Sequence, residues 1–130
     1  MKQEPACIKN NREGFEYFTT PPNLQGIFIL NIRCINIYID GQEIKTENIW
    51  IGKNNIEIPI EHLCIIGNEF WDAKEKVKII VRNSNSLPYG NHDVDLKFTC
   101  LESDHNSPAM YHELIISQIG TYIVENCYVD

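Results

Sequence analysis

The sequence predicts an all-β chain, a single-domain antiparallel β-sandwich of immunoglobulin-like type with about seven or more short strands. Three observations predict it. The apolar residues are largely β-branched or aromatic, and they fall in short alternating runs, with few stretches at helical period. Turn-forming pairs, Asp40-Gly41 and Asn54-Asn55, separate neighbouring runs. No helical segment is interleaved between the runs, which favours an antiparallel sandwich over a parallel sheet.

In IRCINIYIDGQEIKTENIWI (residues 32–51), Ile35, Ile37 and Ile39 alternate with Cys34, Asn36 and Tyr38. A strand therefore ends at Asp40-Gly41 and a second short strand follows it. After the Asn54-Asn55 turn, IEIPI places Ile56, Ile58 and Ile60 on one face. Pro59 has no N–H to give a ladder, so this strand ends there or lies at an edge. In EHLCIIGNEFWDAKEK, residues 61–66 fit a helical turn or a strand, Gly67-Asn68 breaks either, and Phe70 and Trp71 are expected on a loop. KVKIIVRN (76–83) is a strand with Val77, Ile79 and Val81 on one side and Lys78, Ile80 and Arg82 on the other.

NSNSLPYGN connects to the next strand, HDVDLKFTC, where Val94, Leu96, Phe98 and Cys100 share one face and Asp93, Asp95, Lys97 and Thr99 the other. The cluster of His92, Asp93 and Asp95 looks like a metal or acid/base site only until that alternation is applied. His92 points with the apolar set and the two aspartates point to solvent, so the segment reads as a strand entry. LESDHNSPAM is a second polar connection, and MYHELIISQI and TYIVENCYVD are two last strands separated by Gly120.

A chain of 130 residues, 43% of them hydrophobic, suits one domain spanning 1–130. Eleven Lys and Arg against 18 Asp and Glu give a formal charge of -7, which opposes broad attraction to nucleic acid or anionic lipid. The N-terminal MKQEPACIKNNREG lacks the apolar core of a secretory signal, and no stretch approaches the roughly 20 apolar residues of a membrane span. A soluble cytoplasmic protein is expected. Cys7, Cys34, Cys64, Cys100 and Cys127 form no C-x-x-C pair and are odd in number, which fits reduced, mostly buried thiols rather than a zinc knuckle or a disulfide framework.

No catalytic residue is assigned, because no G-x-S-x-G or comparable elbow appears and Cys100 faces the apolar side of its strand. No metal ligand is assigned either. His62, His92, His105 and His112 are not spaced as ligand pairs, and Asp104 with His105 is equally well explained as a polar turn. The seven glycines are isolated and build no phosphate cradle. The aromatic residues carry more: Trp50, Phe70, Trp71, Tyr89 and Tyr111 lie near expected turns or strand ends, where a ring meets a partner or a sugar. Phe70 and Trp71 are adjacent and cannot both point inward from a strand, so at least one is available at a surface.

Taken in order, IYIDGQEI, IWIGKNNIEIPIEHL, EFWDAKEKVKIIVRN and LPYGNHDVDLKFTC cover about residues 32–103. Together they resemble the small β subunit of bacterial C-glycoside deglycosidases. The resemblance implies a β-rich accessory subunit paired with a larger α subunit, a sugar-isomerase-like barrel that holds a divalent metal, expected to be manganese. It implies cleavage of the carbon–carbon bond between a 3-oxo sugar and an aromatic, flavonoid-type aglycone, with the catalytic residues on the α subunit and no cofactor bound by this chain. Phe70 and Trp71, with Trp50 and Tyr89 behind them, are then the expected interface. The alternative is a free-standing immunoglobulin-like module that binds carbohydrate or protein.

Overall fold

In the computed structural model, which describes residues 6–22, 25–66, 69–104 and 107–128, the alternating runs become strands. They are β1 (Ala6–Asn10), β2 (Gly14–Thr19), β3 (Ile27–Phe28), β4 (Ile32–Ile39), β5 (Gln42–Glu43) and β6 (Ile49–Lys53). There follow β7 (Ile56–Pro59), β8 (Phe70–Trp71), β9 (Val77–Arg82), β10 (Gly90–Asp104) and β11 (Ser107–Tyr128). Short 3-10 turns at Ile29–Asn31, Thr46–Asn48 and Ile60–Ile66 are the helical elements among the described residues. No helix there is long and apolar enough to cross a membrane.

Nine strands form one sheet in the order β5-β4-β10-β11-β1-β2-β9-β6-β7, and β3 pairs with β8 apart from it. The pairings are antiparallel except that of β1 with β11. Strands β4 and β6 stand six places apart in this order. In a flat sheet that separation would be about 29 Å. Yet Ile35 and Ile37 of β4, Ile51 of β6 and Ile79 of β9 belong to one buried cluster with Phe15, Tyr17 and Phe98. The sheet therefore curls until its inner face closes on itself, the sandwich-like arrangement expected of the sequence.

Both predicted turns are tight two-residue hairpins. Asp40 and Gly41 have φ of 50° and 84°, and Asn54 and Asn55 have 53° and 65°. Positive φ at both central positions gives the twist that matches the flanking strands, here joining Ile39 to Gln42 and Lys53 to Ile56. Pro59 lies on β7, which is an edge strand as expected.

Several expectations are corrected. Ile56 does not share the buried face of Ile58 and Ile60, because it follows the turn at the sheet's rim and is 51% exposed. Ile80, grouped with the polar side of β9, is buried beside its cross-strand neighbour Trp50. Phe70 and Trp71 lie on a short strand rather than a loop. Gly120 does not break the last strand: a ladder running without interruption from Gly90↔Val124 to Ser103↔Tyr111 outweighs the weak strand preference of one glycine. The same ladder shortens the polar connection 101–110, since β10 continues to Asp104 and β11 begins at Ser107.

Candidate functional site

The short strands β3 and β8 lie against the far end of β10, and their placement begins with a glycine. Gly26 has φ of 84°, and a Cβ there would come within 2.6 Å of the Trp71 carbonyl oxygen and 2.8 Å of the Phe70 ring. Only glycine allows both the dihedral and the approach. Ile27 then pairs with Trp71 and Phe28 with Phe70, and the Ile29 N–H donates to the Glu69 carbonyl at 3.0 Å.

Trp71 is fully buried. Its ring meets Phe98 edge-on at 5.8 Å, and its indole N–H donates to the Glu75 carbonyl at 2.8 Å. Strand alternation then turns Phe70 outward, where it is 40% exposed and packs edge-on against Phe28 at 4.9 Å. A second anchor comes from Lys53, whose buried side chain reaches Glu75 at 3.0 Å and Glu69 at 3.6 Å. These contacts tie the β6–β7 hairpin to both flanks of β8.

Between this pair of short strands and the β10–β11 hairpin runs a groove of about 380 Å³, lined by Phe28, Phe70, Cys100, Leu101, Leu114 and Ile116. Leu30 nearby is 56% exposed, Phe28 51% and Leu114 42%. Several large apolar side chains share one open surface, the composition of a partner site rather than of scattered exposed leucines. Leu101, Phe28 and Leu114 were not foreseen as surface residues. The signal was present: IFIL and LII are unbroken apolar runs, and a strand cannot bury consecutive side chains on one face.

The four expected interface residues are not brought together. Phe70 lines the groove, whereas Trp71 gives a partner no surface and holds Phe70 from beneath. Trp50 is half-buried and covered by the Arg82 guanidinium 4.6 Å from its ring centroid. Arg82 is itself held by Glu13 at 3.1 Å and by Glu57. Tyr89 is 52% exposed, but it precedes Gly90 at the near end of β10, about 37 Å along the strand from Cys100.

The His92 cluster resolves as a structural clamp. His92 is buried, with Nδ1 2.6 Å from the Asp40 carboxylate and Nε2 2.7 Å from the Pro88 carbonyl. The other Asp40 oxygen accepts the Asp93 N–H at 2.9 Å. The hydrogen bond to Asp40 raises the His92 pKa, with the Pro88 carbonyl adding to it against the opposing cost of burial. The same bond, followed by the Asp93 N–H, lowers that of Asp40. Asp93 is exposed as expected, while Asp95 is half-buried and pairs with Lys97 at 3.4 Å. Among the described residues no three His, Cys, Asp or Glu side chains converge as metal ligands, and Cys100 is buried while Cys7 and Cys34 are half-buried. The suggested pair of Asp104 and His105 lies outside the described side chains.

Comparison with known proteins places the chain in a family. A C-glycoside deglycosidase beta subunit from Eubacterium cellulosolvens is 26% identical over 104 residues, covering 78% of this chain and 70% of the relative. Residues 4–103 match the family described as C-glycoside deglycosidase beta subunit, so the likeness reaches back through β1 to β3, beyond the stretch in which it was first seen. The chain belongs to the C-glycoside deglycosidase beta subunit family.

Proposed function

We propose that this chain is the accessory subunit of a hetero-oligomeric lyase that breaks the carbon–carbon bond between a 3-oxo sugar and an aromatic, flavonoid-type aglycone. The observation that carries the reading is the family match over residues 4–103. The apolar groove beside Phe70 supports it, because a subunit that works only in a complex needs such a surface. Phe70 and Phe28 form the centre of the contact with the larger α subunit, and Trp71 and Lys53 hold them in place. The complex works in the cytoplasm, the compartment that suits five scattered cysteines with no C-x-x-C pair.

In the proposed reaction the keto group acidifies a neighbouring C–H of the sugar. Loss of that proton to a base on the larger subunit lets the bond to the aglycone break by elimination. A carbon–carbon double bond forms in the sugar while the departing aglycone carbon takes up a proton from a general acid or water. A divalent metal such as manganese, held by that subunit, would polarise the keto oxygen. This chain positions and stabilises the larger subunit and contributes no base or metal ligand.

The test is co-expression with a sugar-isomerase-like barrel protein encoded beside it, followed by size-exclusion chromatography and an assay on a 3-oxo C-glycoside with added Mn²⁺. Co-elution, with aglycone released only when both chains are present, is the expected result. Separate elution without release would overturn the reading and leave a free-standing binding module.

A further inference from the structure

Several stretches of backbone edge border the nine-stranded sheet, and two of them are guarded by their shortness or by proline. The β5 edge is two residues long, and the β7 edge is four residues long and ends in Pro59. Short strands and prolines are the usual protections against unwanted pairing. Among the described residues the edge of β4 before Ile37 has no strand beside it, but it carries Arg33, a charged guard; the edge of β11 is different. Strand β1 joins β11 only from Tyr122 onward, so among the described residues the edge of β11 before Tyr122 has no strand beside it.

That edge carries few of the usual guards. From Tyr111 to Thr121 it contains no proline, no lysine and no arginine, and its register against β10 has no bulge. Ile115 is 65% exposed and Ile119 76%. A chain of formal charge -7 places a single carboxylate, Glu113, in this stretch. The Gln118 side chain ties this strand to the end of β2, accepting from the Thr19 hydroxyl at 2.8 Å and donating to the Pro21 carbonyl at 2.8 Å.

We infer that the open edge of β11 pairs with the same edge of a second copy of this chain, antiparallel about a two-fold axis at Ile115. The sequence is self-complementary in that register. Ile115 meets Ile115 of the second copy, Leu114 meets Ile116, Ile116 meets Leu114, and Glu113 meets Ser117. Apolar side chains face apolar ones on both sides of the new strand pair, and no like charges stand opposite each other. The two-fold makes the interface isologous and closed, so the edge is used up in a dimer rather than propagated into a fibre. Leu114 and Ile116, which wall the groove beside Phe70, thereby gain lateral neighbours. This pairing is independent of the reaction assigned above and requires an even number of copies in the assembly.

The experiment combines light scattering with cross-linking, on the full chain alone and in its complex with the larger subunit. The chain alone is expected at twice its 15.1 kDa mass. Ile115→Lys, at an exposed position outside the core, is expected to shift it to the single mass with its circular dichroism unchanged. Opposed residues of an antiparallel pair have Cα atoms about 4.5–5.5 Å apart, within disulfide range. Ile115→Cys is therefore expected to give a covalent dimer on mild oxidation, in both preparations, where wild type and Ser117→Cys do not. A single mass for the wild-type chain at tens of micromolar would overturn the dimer. A covalent dimer from Ser117→Cys but not from Ile115→Cys would overturn the register, and loss of the Ile115→Cys dimer in the complex would show that the larger subunit takes this edge instead.

Discussion

The His92 imidazole and the Asp40 carboxylate, 52 residues apart in the chain, are joined by a 2.6 Å contact that locks the β4–β5 turn to the loop before β10. Both ring nitrogens face acceptors, the carboxylate and the Pro88 carbonyl, so the doubly protonated ring satisfies both. Because the folded pKa of His92 is raised, its stabilisation is complete below the ordinary imidazole pKa and is lost as pH rises through the raised value. Because that of Asp40 is lowered, its stabilisation is present above the ordinary carboxylate range and is lost as pH falls through the lowered value. Thermal melts of wild type and His92→Gln should therefore differ more at about pH 5 than at about pH 9. A Tm gap that is constant or grows with pH would refute the charged clamp.

Phe70 and Trp71 are neighbours in sequence with opposite roles. Trp71→Ala removes a fully buried ring and should cost about 3–5 kcal/mol in urea unfolding. Phe70→Ala removes a half-open ring and should cost about 1 kcal/mol or less, while weakening co-elution with the larger subunit. The reverse order of the two effects would mean that the groove is not the contact.

Gly26 controls the same site from the other side. Gly26→Ala puts a methyl against the Trp71 carbonyl and the Phe70 ring at a φ of 84° that alanine rarely adopts. A loss of about 1–3 kcal/mol is expected. Trp fluorescence should shift with it, because β8 moves. An unchanged melt and spectrum would show that the contact is slack.

Lys53 tests how much the buried ion pairs contribute. Its partners Glu69 and Glu75 have side chains 49% and 30% exposed, so neither is stranded without water when the lysine is lost. Lys53→Met keeps the apolar stem and should change stability by about 1 kcal/mol or less, with the sign open to either side of zero. Lys53→Ala, which also empties the space filled by the stem, should be the more destabilising of the two.

Most strands were legible because their signal is local. Ile35, Ile37 and Ile39 alternate with more polar residues and all three are buried, and Asp40-Gly41 and Asn54-Asn55 turn as their positive φ allows. The short pair β3–β8 was not legible. Two-residue strands have no period to detect, and they form only because Gly26 permits the approach and Trp71 reaches Phe98. Gly120 misled for a related reason, since its local preference is outvoted by a long ladder with β10.

By itself the sequence determined the all-β class, the two hairpin turns, the edge position of Pro59, the inward direction of His92 and the family motifs between residues 32 and 103. Each is a matter of side-chain period, backbone dihedral preference or residue order, and neighbours in the chain suffice to set it. Only the tertiary structure decided that Trp71 is core and Phe70 surface, that Arg82 covers Trp50, and that β1 pairs with β11 in parallel, from Tyr122 onward among the described residues. Those facts depend on how far a nine-stranded sheet curls and on which strands reach each other. Contacts between β4 and β6, or between Asp40 and His92, are set by closure of the whole sheet and have no counterpart in local spacing.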